Sequence, residues 1–193
     1  MIEKGKILGK PFFGQDTVRV ARELIGKNLW CGKCVGRIVE TEAYLGEKDA
    51  ASHASRKNAR EKGNRMFGQP GKAYVYFTYG NHWMFNVVTE KNGAAGAVLI
   101  RALEPLEGIS LMKKRRDTEN PLNLCSGPGK LCQALAINGS FHGLDLTKPP
   151  CRIFVADTGH VPEIASSARV GISKGMEHAL RFFEKGSRFI SGK

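Results

Sequence analysis

Two β-prone runs, Ala73 to Tyr79 and His82 to Thr89, meet across Gly80-Asn81 and commit the middle of this chain to a tight antiparallel hairpin. A turn with glycine first leaves Tyr79 at the hairpin tip. Lys91-Asn92-Gly93 supplies a second tight turn, and Ala97 to Glu104 reads as a strand that Pro105 ends. Upstream, Gly32-Lys33 reads as a two-residue turn between Cys31 and Cys34, followed by a strand from Cys34 to Tyr44. Strict alternation along that strand places Ile38, Glu40, Glu42 and Tyr44 on one face. The expected core is a meander of antiparallel strands.

Helices fall around these strands. Asp16 or Thr17 can cap a short helix in which Val20, Ala21, Leu24 and Ile25 keep helical spacing, and Gly26 closes it. A second helix runs from about Gly108 to Arg116, and its terminal Lys113-Lys114-Arg115-Arg116 is explained by the helix dipole without any ligand. Ser126-Gly-Pro-Gly-Lys130 opens a third, reaching Ile137, whose free N–H groups either bind a phosphate or form an ordinary capped helix start. Lys148-Pro149-Pro150 is an internal linker, and Ile153 to Val155 is strand-like. With 193 residues and 41% hydrophobic content, residues 1–193 form one domain with a real core. The fold class is α+β, a curved antiparallel sheet or open barrel with peripheral helices.

Lys and Arg number 30 against 18 Asp and Glu, a net charge of +12, so a polyanion is attracted before any specific contact forms. The residues after Met1 lack the apolar core of a signal peptide, and no run reaches the ~18 apolar residues of a spanning helix. A cytoplasmic or nucleoid-associated protein is expected, nuclear in a eukaryote, neither secreted nor bound to a membrane. Five cysteines make an odd count, which argues against a disulfide framework. Cys31 and Cys34 are half a zinc motif without a second ligand pair, so no metal is expected.

All four tyrosines, Tyr44, Tyr74, Tyr76 and Tyr79, fall within thirty-six consecutive positions. Glu40 and Glu42 stand just before this stretch, which holds His53 and a basic run of Arg56, Lys57, Arg60, Lys62, Arg65 and Lys72, broken by Gly63, Gly68, Pro70 and Gly71. Aromatic rings stack on flat ligands, carboxylates activate water, and Lys/Arg runs hold phosphates; nucleic acid is the ligand that uses all three. A partly desolvated Glu beside a tyrosine can deprotonate a water, although these residues alone do not choose between Glu40 and Glu42. Taken as an isolated Glu-x-Glu, both read more readily as solvated strand carboxylates balancing Arg37 and the basic loop. His53 is either a donor to a ligand or a structural hydrogen-bonding group. Tyr79 is either a wedge for opening DNA or a rim aromatic folded back on Phe77 or Trp83. Two other functions fit these residue types, a non-catalytic nucleic-acid module and a metal-dependent nuclease.

Five blocks narrow the choice: Gly36-Arg-Ile-Val-Glu-Thr-Glu-Ala-Tyr-Leu-Gly46; Met66-Phe67 with Pro70-Gly71; Tyr74-Val-Tyr76 with Tyr79-Gly80; Leu99-Ile-Arg-Ala-Leu-Glu-Pro105; and Cys125-Ser-Gly-Pro-Gly-Lys-Leu-Cys-Gln-Ala-Leu-Ala-Ile137. Together they resemble the alkyladenine (3-methyladenine) DNA glycosylases of the mammalian type over nearly the whole chain. The resemblance implies a monofunctional base-excision repair enzyme that flips alkylated or deaminated purines from duplex DNA and hydrolyses their N-glycosidic bond, leaving an abasic site. It implies a fold like the C-terminal domain of formyltransferases, no cofactor, and action as a monomer. Glu42 matches the general base, with Arg101 and the backbone near Val170 completing the water site, and Glu40 becomes structural. Tyr44 and Tyr76 match the walls around the flipped base, His53 its hydrogen-bonding partner, Asn86 the group that clashes with a guanine amino group, and Tyr79 the intercalating wedge. Arg56, Lys57, Arg60, Arg65 and Lys130 are the expected DNA-backbone contacts, and Tyr74 is expected to be core. Glu47-Lys48, where many relatives carry proline, and Met84 beside Trp83 depart from the pattern. An ideal two-residue turn at Gly80-Asn81 also sets Tyr76 and Asn86 on opposite faces, so the match requires an extra residue or a bulge there.

Overall fold

The computed structural model of the chain describes residues 2–61, 65–91, 93–148 and 151–192. Lys62 and Gly63 of the basic run, Asn92 of the second turn and the Pro149-Pro150 linker lie outside them. The strands are β1 (Lys6–Ile7), β2 (Asn28–Cys31), β3 (Cys34–Tyr44), β4 (Ala73–Thr78), β5 (His82–Val88), β6 (Ala97–Glu107), β7 (Ile153–Asp157), β8 (Ile164–Ser167) and β9 (Arg181–Glu184). The α-helices are α1 (Lys10–Phe13), α2 (Thr17–Glu23), α3 (Ile109–Arg116) and α4 (Pro128–Leu135). Among the described residues no helix is long and apolar enough to cross a membrane.

Every strand pairing is antiparallel, in the order β1-β7-β2-β3-β6-β5-β4, with β9 also on β3 and β8 on β9. The sheet curls into a half-barrel, and the α+β class holds. The expected simple meander is corrected: β2–β3, β4–β5–β6 and β8–β9 follow it, and the other pairings join strands distant in sequence. β3 is 11 residues long and buried along most of its length, so both of its edges need hydrogen-bond partners. The equally long β6 takes one edge. The other is divided between β2, along Cys34 to Arg37, and β9, along Glu40 to Glu42. β1, β8 and β9 were not foreseen, being two to four residues each.

Where the outer partner of β3 changes, its register with β6 slips and then recovers. Ile38 faces Leu103, Glu40 faces Ala102 and Thr41 faces Ile100, leaving Val39 on β3 and Arg101 on β6 without opposite residues. These two compensating bulges overturn strict alternation. Ile38 packs in the hydrophobic core with Leu103, Ala43 and Ile100, whereas Glu40 and Glu42 both reach Arg101 on the other face. Thr41 points towards the core side and binds the Ala21 carbonyl of α2 at 2.8 Å.

Pro105 does not end β6, which continues to Glu107; Pro105 lies opposite Gly36 at another irregularity in register, where a missing N–H is tolerated. The main hairpin is also shifted from expectation. Asn81 N–H binds the Thr78 carbonyl at 3.3 Å, and Tyr79 (φ 53°) and Gly80 (φ 72°) are the two central, left-handed residues. The turn is therefore a primed type centred on Tyr79-Gly80, with Asn81 as an extra residue before Thr78 pairs with His82. That residue sets Tyr74 opposite Asn86 and Tyr76 opposite Met84, so Tyr76 and Asn86 share a face.

Asp16 caps α2 through Arg19 N–H at 3.0 Å. α4 stops at Leu135, two residues before the expected end, because Ala136 turns left-handed (φ 55°) and Ile137 N–H closes on the Cys132 carbonyl. The basic end of α3 is used internally: Lys113 pairs with Glu119, Arg115 binds the Ala134 carbonyl at 2.9 Å, and Arg116 binds Gln133. The Gly32-Lys33 turn holds, with Cys31 directly opposite Cys34. All five cysteines are free, four of them buried. Burial pushes the thiols up, Cys31 to about 11 and Cys125 to about 12. Among the described residues no group of three His, Cys, Asp or Glu side chains is arranged to hold a metal ion.

A Cβ on Gly36 would lie 2.9 Å from the Leu103 Cβ and 3.0 Å from its Cδ1. Gly36→Ala is expected to cost about 1–3 kcal/mol through overpacking, read as a lower urea midpoint with an unchanged slope.

Candidate active site

Four adjacent strands align one rung across the sheet: Glu42 on β3, Leu99 on β6, Asn86 on β5 and Tyr74 on β4. Tyr44 and Tyr76 follow two residues along their strands and so stay on the same face. The segment after β3 folds over this face through short 3-10 turns at Gly46–Lys48 and His53–Ser55. Between sheet and segment lies a cavity of about 270 Å³. Tyr44, His53, Met66, Tyr74, Tyr76 and Asn86 line it.

The polar groups of this cavity are ordered by one another. His53 Nδ1 and the Tyr74 hydroxyl lie 2.9 Å apart, and Asn86 donates to the Tyr74 carbonyl at 3.0 Å. The His53 ring sits 4.6 Å from the Tyr76 ring at 66°, and Tyr74 and Tyr76 are 5.4 Å apart. Burial and the nearby Arg56 charge hold the His53 pKa down, so the imidazole is neutral at neutral pH. Burial, then the neighbouring Tyr74, Tyr79 and Glu42, push Tyr76 up to about 12. Burial and the Glu42 carboxylate raise Tyr44 further, keeping it a phenol that donates. Tyr74, expected in the core, is thus part of the cavity.

Beside the aromatic wall lies a charge cluster. Glu40 and Glu42 are both fully buried. Glu40 accepts from Arg101 Nε at 2.9 Å, Arg181 Nε at 2.7 Å, Ser191 N–H at 2.6 Å and Ser191 Oγ at 2.7 Å. Its lone pairs are used within the protein. Glu42 Oε2 accepts from the Tyr44 hydroxyl at 2.9 Å, and Oε1 accepts from Val170 N–H at 2.7 Å and lies 3.2 Å from Arg101 Nη1. Burial opposes the charge on Arg101, but Glu42 and Glu40 outweigh it and hold the guanidinium protonated. Of the two carboxylates, Glu42 is the one hydrogen-bonded to the cavity wall.

Val170 reaches Glu42 because its neighbour is anchored. Arg169 binds Asp49 through both terminal nitrogens, at 2.5 and 2.8 Å, and donates to the Ala43 carbonyl at 2.9 Å. Its guanidinium carbon stands 4.8 Å from the centre of the Tyr44 ring. Asp49 also accepts from Leu45 and Ala51 N–H groups, each at 3.0 Å. Neither Arg169 nor Asp49 was among the expected site residues, and no local sequence signal marks their pairing.

A family model described as methylpurine-DNA glycosylase matches residues 11–188. The chain belongs to that family. A glycosylase-family relative from Rhodopseudomonas palustris (strain ATCC BAA-98 / CGA009) is 48% identical over 187 residues, covering 97% of this chain and 89% of that protein. One from Salinibacter ruber is 45% identical over 196 residues, covering 93% of this chain and 94% of that protein. One from Chlorobaculum parvum is 45% identical over 193 residues, covering 96% and 91%. All three bear the name "Putative 3-methyladenine DNA glycosylase".

In this methylpurine-DNA glycosylase the remaining expected residues lie outside the cavity lining. Tyr79 is 79% exposed, at the hairpin tip; Phe77, rather than Tyr79, is the aromatic that packs on Trp83, at 4.9 Å. Arg56, Lys57 and Arg65 are exposed. Arg60 lies over the Phe67 ring at 4.3 Å and 3.8 Å from Glu47, one of the two departures from the family pattern. Met84, the other, is buried opposite Tyr76. Lys130 stands in the first turn of α4, where Gly129 lets the helix start approach His82 beside the hairpin turn.

Burial alone would raise the Asp49 pKa; Arg169 and the Leu45 and Ala51 N–H groups outweigh it and hold the carboxyl below its ordinary range. The folded-state pKa therefore lies below the unfolded value of about 3.9. The associated stabilisation is complete above the unfolded pKa and is lost as pH falls through the folded one. Asp49→Asn strands the buried Arg169 charge and is expected to cost about 3 kcal/mol at pH 7. The gap between variant and wild type in urea melts should narrow towards pH 3.

Proposed function

We propose that this chain removes damaged purines from duplex DNA by hydrolysing the N-glycosidic bond, with Glu42 as the general base. The observation that supports this best is the position of Glu42: fully buried and hydrogen-bonded to the Tyr44 wall of an aromatic cavity. Val170 N–H donates to its Oε1 at 2.7 Å and Arg101 Nη1 stands 3.2 Å from the same oxygen, which fixes the direction of the carboxylate. Water attacks C1′ of the deoxyribose as its proton passes to Glu42, and the electrons of the C1′–N bond leave with the purine. The negative carboxylate also favours the positive charge that develops on the sugar. Glu40, already bonded to four donors, is structural.

The flipped base stacks between Tyr44 and Tyr76. An alkylated purine carries positive charge, which makes it a good leaving group and a good partner for electron-rich rings. The neutral His53 hydrogen-bonds the base, and Asn86 excludes guanine by clashing with its amino group. Tyr79 fills the gap left in the duplex, a device that offsets the few kcal/mol of unstacking. Arg56, Lys57, Arg60, Arg65 and Lys130 meet the phosphates of DNA bound by a monomer. Deaminated purines such as hypoxanthine are neutral and need a proton to leave.

Glu42→Gln is expected to keep binding of duplexes containing 3-methyladenine or ethenoadenine while lowering single-turnover base release by about 10²–10⁴-fold. Undiminished release would overturn the assignment of the base. Loss of wild-type activity in EDTA would favour a metal-dependent reaction, and binding without base release would favour a non-catalytic module.

Tyr79 adopts a left-handed backbone and is mostly exposed, so Tyr79→Gly relieves strain and removes little packing. Its melting temperature should be no lower than wild type, while the rise in 2-aminopurine fluorescence that reports flipping is lost. An unchanged fluorescence response would remove Tyr79 as the wedge.

A further inference from the structure

We propose that Arg169, clamped by Asp49, is a positioning residue that ties the segment covering the base pocket to the aim of Glu42. The proposal rests on Glu42 being the general base. Its own grounds are the contacts of one buried guanidinium and the backbone that follows it. Behind the pocket wall, Arg169 stands 4.8 Å from the Tyr44 ring and donates to the Ala43 carbonyl. Towards the covering segment, it grips both oxygens of Asp49, which also receives the N–H groups of Leu45 and Ala51. Ala51 lines the cavity, and His53 follows two residues later. Towards the reacting carboxylate, it leads directly into Val170, whose N–H holds Glu42 Oε1 at 2.7 Å.

The segment between β8 and β9 has no regular structure over residues 168–180, and most of its residues are exposed. Backbone of that kind has little intrinsic rigidity, so a buried bidentate ion pair is the natural source of order at its start. Arg169 and Asp49 side chains are 0% and 3% exposed. Lysine in place of Arg169 keeps a positive charge for Asp49 but lacks the planar fork that reaches both carboxylate oxygens and the Ala43 carbonyl together. A carboxylate misplaced by a fraction of an ångström loses rate more than affinity, because substrate binding depends on other residues.

Arg169→Lys, rather than an alanine that strands Asp49, is the variant to test, in single-turnover base release from an ethenoadenine duplex. The expected result is a 10- to 100-fold lower maximal rate, with the half-saturating enzyme concentration changed less than threefold and the melting temperature near wild type. Combined with Glu42→Gln, it should cause no further loss, since a residue acting through Glu42 has nothing left to position. Wild-type rates in Arg169→Lys would overturn the proposal, as would equal losses of rate and DNA affinity, or an undiminished effect in the Glu42→Gln background. Should Glu42→Gln alone release base at the wild-type rate, the general-base assignment fails instead, which separates the two failures.

Discussion

The buried carboxylate of Glu40 is the constraint on which the rest of this site depends. It joins β3 to Arg101 of β6, to Arg181 of β9 and to Ser191 in the C-terminal segment. A charge in the interior is tolerated only when it is paired and its lone pairs are occupied, and four donors meet that condition here. With Glu42 beside it, two buried carboxylates face two buried guanidiniums, so the cluster is neutral as a whole. Arg101 is shared between them, which ties Glu42 into the same cluster.

That cluster exists because the sheet is irregular where it forms. Had β3 and β6 kept perfect register, Ile38 would share a face with Glu40, and Arg101 would have an opposite residue to pack against. The paired bulges at Val39 and Arg101 turn Ile38 and Leu103 into the core and bring the charged groups together on the other face. The outer edge of β3 passes from β2 to β9 at the same place, which brings the C-terminal strands to the cluster.

Much of this was legible in the chain, and the exceptions have physical causes. The strand Cys34 to Tyr44, the Gly32-Lys33 turn and the Asp16-capped start of α2 follow from local preferences and were read correctly, while the hairpin and the ends of β6 and α4 were read with shifted bounds. The turn residue was misplaced by one because a non-glycine in the left-handed region is disfavoured, so Tyr79 was assigned to the strand. Tyr74 was taken for core because its partner, His53, is 21 positions away in a segment without a periodic pattern. Arg169 and Asp49 meet across 120 positions, and nothing in either neighbourhood announces the pairing. The short strands β1, β8 and β9 owe their existence to the exposed edges of longer ones rather than to their own composition.

The cysteines have a bearing on the conditions under which such a protein works. Reagents that methylate purines also methylate thiolates, and the thiolate is the reactive form of cysteine. Burial raises the pKa of every thiol in this chain, and four of the five are out of contact with solvent. The core of the protein is thereby a poor target for the same electrophiles that create damaged purines.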